Sequence, residues 1–155
     1  MPSPITPEGY ERLQEELKRL KNEERPAIGR ALEEARGHGD LKENAEYHAA
    51  KERQGMTEAR IRQLEGILGD SQLVDIRRQP TDRIAFGAQV TVLDLETEKK
   101  TSYQIVGEFE SDLDQGRISI VSPLARALMG KSVGDDVVFT SPKGERELEV
   151  TAISY

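Results

Sequence analysis

The chain has no cysteine, which excludes disulfides and thiolate metal sites. It has only two histidines, His38 and His48, so a histidine-based nucleophile system or a closed zinc site is not expected. Gly-x-Ser-x-Gly, P-loop and His-Glu-x-x-His motifs are all missing. No apolar run approaches the ~20 residues of a membrane span, and no basic-then-apolar leader opens the sequence. A cytoplasmic protein with no membrane partner and no small-molecule substrate is the expectation. The net charge of −7 argues against a free-standing nucleic-acid binder, which would show a basic face.

Aromatics are scarce and unevenly placed. Residues 1–79 contain only Tyr10 and Tyr47, whereas residues 80–155 hold Phe86, Tyr103, Phe109, Phe139 and Tyr155. With 35% hydrophobic and 33% charged residues, the apolar supply for one large core is thin. A two-part chain follows: a helical part over 1–78 and a small globular part over 79–155.

Thr6-Pro7-Glu8 is a helix start, with a capping hydroxyl, a proline where no N–H is needed and an early acid. Tyr10, Leu13, Leu17 and Leu20 follow at helical spacing, then Ala27, Ile28, Ala31, Leu32 and Ala35. Pro26 lies inside this stripe and is expected to kink or divide the helix. Gly37-His38-Gly39 supplies a reversal. A second stripe begins directly after it, through Leu41, Ala45, His48/Ala49, Met56, Ala59, Leu64 and Ile67/Leu68, and stops at Gly69-Asp70. The pattern predicts an antiparallel hairpin roughly 45 Å long at ~1.5 Å rise per residue. Residues 70–83 read as a linker. Beyond them the period falls to two. Strands are expected over 89–95 and 101–106, at 118–121, over 137–140 and over 147–153, with a short helix over 124–129 opened by Ser122-Pro123. The fold class is α+β.

The chemistry concentrates at Gly37–Tyr47, GHGDLKENAEY. Asp40 and Glu43 stand three apart, and on a helix such carboxylates share a face. Magnesium is typically held by one or two carboxylates plus waters and phosphate oxygens. The same pair also fits a helix-capping box, with Asp40 at N-cap and Glu43 at N3; the two roles are compatible. His38, Asn44 and Tyr47 are candidates for supporting the tip, against the plainer reading of a solvated turn and a packed ring. Lys51 and Arg53 either steer a phosphate backbone or are part of a solvated face.

His38–Glu52, HGDLKENAEYHAAKE, closely resembles the hairpin tip of the GreA/GreB transcript-cleavage factors, in the acid-bearing form of the GreA branch. TPEGYERLQEELKRL, FGAQVTVLDLE and SPLARALMGKSVGDDV are similar to other stretches of that family, so the resemblance spans nearly the whole chain. It implies a coiled-coil finger followed by an FKBP-like domain. It further implies that the finger enters the secondary channel of bacterial RNA polymerase while the second domain docks at the rim, near Ser122 and Pro123. The acids matching Asp40 and Glu43 would help hold a magnesium ion shared with the polymerase, against the RNA 3′ end of a backtracked complex. No cofactor is expected to be held stably by the chain alone, and the chain alone is expected to be inactive. Two rivals stand beside this: a coiled-coil adaptor with an FKBP-like isomerase or chaperone domain, and an autonomous metal-dependent nuclease.

Overall fold

The computed structural model describes residues 2–40 and 42–155. Leu41, expected to begin the second apolar stripe, lies outside the described residues. The chain forms two compact units, one of residues 10–70 and one combining 1–9 with 71–155.

The first unit is a helical hairpin. Helix α1 (Pro7–Arg19) runs through a π-helical segment, Leu20–Glu24, into α2 (Arg25–Arg36), and α3 (Ala45–Gly69) returns. The division expected at Pro26 takes the form of this π-helical segment, which separates α1 from α2 while helical turns continue through it. The Pro26 ring crowds the preceding turn and the residue has no N–H to give, and the wider π turn accommodates both. The Arg25 N–H reaches the Leu20 carbonyl, five residues back. That extra residue is visible in the seam. Leu13, Leu17, Leu20, Glu24, Ile28, Leu32 and Ala35 turn inward at steps of four, three, four, four, four and three.

Helix α3 corrects the expected stripe. Ala45, Ala49, Met56 and Ala59 are exposed, and the seam is Tyr47, Ala50, Gln54, Thr57, Ile61, Leu64 and Ile67/Leu68, at steps of three and four. Small and polar side chains occupy its first half, so apolarity alone points to the wrong face there. Ion pairs cross between the arms: Arg60 with Glu16 at 2.7 Å, Arg25 with Glu58 at 2.7 Å, Lys21 with Glu65 at 3.0 Å. Arg60 holds the Glu16 carboxyl below its ordinary range, chiefly by direct hydrogen bonding.

The second unit is a five-stranded sheet in the order β5-β4-β3-β7-β6, built from β3 (Gln89–Asp94), β4 (Lys100–Val106), β5 (Arg117–Ser119), β6 (Asp136–Ser141) and β7 (Gly144–Ser154). Within this five-stranded sheet, among the described residues, β4 and β5 pair in parallel and the other neighbours pair antiparallel. Helix α4 (Pro123–Leu128) covers one face, burying Ala125 and Leu128 against Val90, Val92, Ile105, Ile118 and Val150. This is the α+β arrangement the change of period predicts.

Residues 70–83 are more than a linker. Ser71–Leu73 (β2) pairs in parallel with Ser3–Ile5 (β1), and Ile76–Arg78 forms a 3-10 turn capped by Asp75. The packing boundary therefore does not fall at 78/79. The first nine residues belong with the sheet unit because Thr6 is bonded there. The Thr6 N–H donates to Glu110 Oε2 at 3.0 Å, and the Thr6 hydroxyl contacts Glu110 Oε1. Glu110 Oε2 also accepts from the Gly107 N–H at 2.7 Å.

Candidate functional site

The hairpin turn is built stepwise. Helix α2 ends with the Gly37, His38 and Gly39 N–H groups folding back on carbonyls of the last turn. Gly39 takes φ of 105°, a conformation that favours glycine and reverses the chain. Asp40 follows, exposed, its Oδ1 accepting from the Lys42 N–H at 2.9 Å. Helix α3 then starts at Ala45, capped by Asn44, whose Oδ1 accepts from the Tyr47 N–H at 3.0 Å. The Asn44 amide also donates to the Ala35 carbonyl at 2.5 Å, tying the two arms together across the turn.

This overturns the expected capping box. Asp40 is not the N-cap of α3, and Glu43 is not its N3 residue; both precede the helix, so helical i, i+3 spacing does not relate them. Asn is as good a cap as Asp, and the one nearer the first regular turn takes the role. The consequence is chemical. Asp40 spends one oxygen on the Lys42 N–H, and Glu43 is exposed. Among the described residues neither carboxylate has a cationic partner. No cluster of three or more His, Asp or Glu side chains able to hold a metal occurs among them either. Each is an exposed carboxylate, the type of side chain from which magnesium takes one or two ligands beside waters and phosphate oxygens.

The other expected site residues separate clearly. Tyr47 is half-buried against Ile28, Leu32 and Ala50 and supports the turn by packing. His38 is exposed, with Nε2 at 3.5 Å from Glu46 Oε2. The Lys51 Nζ lies 6.0 Å from the Tyr47 ring centroid and 3.4 Å from Gln54 Oε1. Arg53 is engaged inside the hairpin, its Nε donating to Glu24 at 2.7 Å, which removes it from the free cations of the arm. In the other unit Ser122 caps α4, accepting from the Ala125 N–H at 3.2 Å, and Pro123 begins that helix. Two contributors were not read from the sequence: Asn44 as the cap, and His48, whose Nε2 sits 3.0 Å from the Lys42 carbonyl. Asn directly before a helical run was the available signal for the first.

A helical hairpin with exposed acids at its turn, joined to a small sheet domain, defines a class of factor that presents carboxylates outward. Two family models cover the chain: the transcription elongation factor N-terminal family over residues 3–73, and the GreA/GreB C-terminal family over 79–155. The chain belongs to the GreA/GreB family of transcription elongation factors. It is 52% identical over 153 residues to the transcription elongation factor GreA of Francisella philomiragia, covering 98% of this chain and 96% of that one. To the GreA of Xylella fastidiosa it is 51% identical over 156 residues, covering 100% and 99%. Among solved structures, the GreA factor homolog 1 of Thermus thermophilus is 32% identical over the full length of both chains, with a TM-score of 0.46.

Proposed function

We propose that this elongation factor binds bacterial RNA polymerase, passes its hairpin into the secondary channel, and stimulates the polymerase's own cleavage of the RNA 3′ end in backtracked complexes. The observation that carries this reading is the pair Asp40 and Glu43, exposed on a turn braced by its own hydrogen bonds and left without a cation among the described residues. Pre-organised electrostatics supplies much of a typical rate enhancement, and two exposed carboxylates cannot provide it alone. They can complete a site that another protein encloses. A shared magnesium would stabilise charge on the attacking and leaving oxygens. Asp40 and Glu43 contribute anionic oxygens toward it, and the hairpin positions them. The sheet unit docks at the channel rim through the region of Ser122 and Pro123, and di- or trinucleotides are the expected products. The chain works in the cytoplasm and cleaves nothing by itself.

The isomerase rival is less well supported. The hollow between α4 and the sheet, about 160 Å³, has Tyr103 and Phe139 as its only aromatics and is shared by Asp94, Lys99 and Arg146. A proline pocket calls for a more apolar lining.

The test is cleavage of backtracked complexes with wild type, Asp40→Asn and Glu43→Gln, at saturating factor across a magnesium titration. Each amide variant should compete with wild type for polymerase yet stimulate little cleavage, and added magnesium should restore part of the rate. Near-normal cleavage by both at low magnesium would refute the carboxylate role.

A further inference from the structure

We propose that His48 is a positioning residue for Asp40, acting through the backbone of Lys42; this rests on the reading of the tip as the cleavage-stimulating element. The geometry is a chain of two contacts. The His48 Nε2 lies 3.0 Å from the Lys42 carbonyl oxygen, and the Lys42 N–H lies 2.9 Å from Asp40 Oδ1. A carbonyl can only accept, so the ring nitrogen facing it carries the proton and donates. Lys42 is therefore gripped at both of its backbone polar groups. One is held by the carboxylate to be positioned. The other is held by a ring standing on the first full turn of α3.

The second contact matters because of where the loop is otherwise anchored. Asp40 leaves α2 through Gly39, whose missing side chain permits the reversal but restrains nothing. Asn44 fixes the start of α3 and its distance from Ala35, two residues beyond Lys42. His48 is what refers the Lys42 peptide to the rigid helix. Its own N–H makes the first helical bond, to the Asn44 carbonyl at 3.1 Å, so the ring's base is set by the same cap. The side chain is exposed and lies outside the apolar seam, so burial does not explain its placement. A carboxylate that shares a weakly held cation gains from such bracing, because a shift of the order of 1 Å can cost about a hundredfold in rate.

Three variants of the full chain test the proposal on backtracked polymerase complexes: His48→Gln, His48→Asn and His48→Leu. A glutamine amide reaches about as far as Nε2, whereas an asparagine amide reaches only as far as Nδ1. The expected result is a saturated cleavage rate about three- to tenfold lower for Asn and Leu, the scale of one hydrogen bond. Gln should stay within about twofold of wild type. The half-saturating concentration and the melting temperature should be alike in all three, which separates positioning from docking or folding. A saturated rate for His48→Asn equal to wild type overturns the proposal, as does an equal loss for Gln and Asn. If wild type itself fails to stimulate cleavage, the reading of the tip falls and the proposal falls with it. Normal wild-type cleavage with a normal Asn variant removes His48 alone.

Discussion

Gly9 should be one of the few helix positions where alanine is worse than glycine, and Glu110 is the reason. In an ordinary capping box a Glu at N3 reaches back to the N-cap N–H. Here Thr6 is the cap, accepting from the Gly9 N–H at 3.1 Å, and N3 is Gly9 itself. The carboxylate that serves the Thr6 N–H comes from Glu110, 104 residues away, and lies where a Cβ on Gly9 would stand. Replacing Glu110 with Ala leaves the buried Thr6 and Gly107 N–H groups without an acceptor; at about 1–3 kcal/mol each, the loss is roughly 2–6 kcal/mol. Glu110→Gln keeps one oxygen at the Oε2 position for both donors, so its cost should be near 1 kcal/mol. Helix propensity alone predicts that Gly9→Ala stabilises by about 1 kcal/mol. The clash reverses that sign, and in the Glu110→Ala background the gain should return. The four proteins of this cycle can be compared by urea unfolding followed through tyrosine fluorescence. Stabilisation by Gly9→Ala in the presence of Glu110 would refute the reasoning.

Four other outcomes are expected. Asn44→Ala should lower the melting temperature of the hairpin more than Asp40→Ala, since it removes both a cap of about 1 kcal/mol and the bond to Ala35, whereas Asp40→Ala removes only a turn contact. Circular dichroism melts decide it, and the reverse order would restore Asp40 as the cap. Arg60→Gln should destabilise by about 0.2–1 kcal/mol, the scale of a partly exposed pair. Because Arg60 holds Glu16 below its ordinary value of 4.5, that difference is full above 4.5 and closes as pH falls through the lowered folded value; a melting difference independent of pH would contradict it. A chain with residues 10–70 replaced by a flexible linker should compete with the intact protein for polymerase without stimulating cleavage. The bare fragment 79–155 should compete less well, having lost Thr6 from Glu110.

The sequence was most informative where one signal dominated. Alternation in QVTVLDL and TSYQIV, and Ser-Pro before LARAL, marked two sheet strands and α4 within a residue or two. It misled where two signals competed. Asp40 and Asn44 are both strong caps, and spacing to Glu43 favoured the wrong one. Met56 looks like a seam residue and is 69% exposed, while Thr57 beside it is buried. The short parallel pair Ser3–Ile5 and Ser71–Leu73 had no local signature, because its partners are separated by the whole hairpin. Glu110 was silent for the same reason: nothing in its neighbourhood announces a partner at residue 6. Asp40 and Glu43 were singled out from the sequence and Asn44 was named as a support for the tip, but the contact of His48 with the Lys42 carbonyl appears only in three dimensions.

The insertion of residues 10–70 into the sheet unit also sets an order of events during synthesis. The hairpin holds all its seam residues within one continuous stretch, so its arms can pair as soon as α3 has left the ribosome. The strand made first, Ser3–Ile5, must wait for Ser71–Leu73, and Thr6 must wait longer still, until Glu110 emerges. The sheet waits longer again, because β7, which lies between β3 and β6, follows both of them in the sequence. The usual sequence, in which amino-terminal segments settle first, is inverted for these nine residues. The opening turn of α1, which Thr6 caps at once, is therefore made well before the carboxylate that holds Thr6 in place.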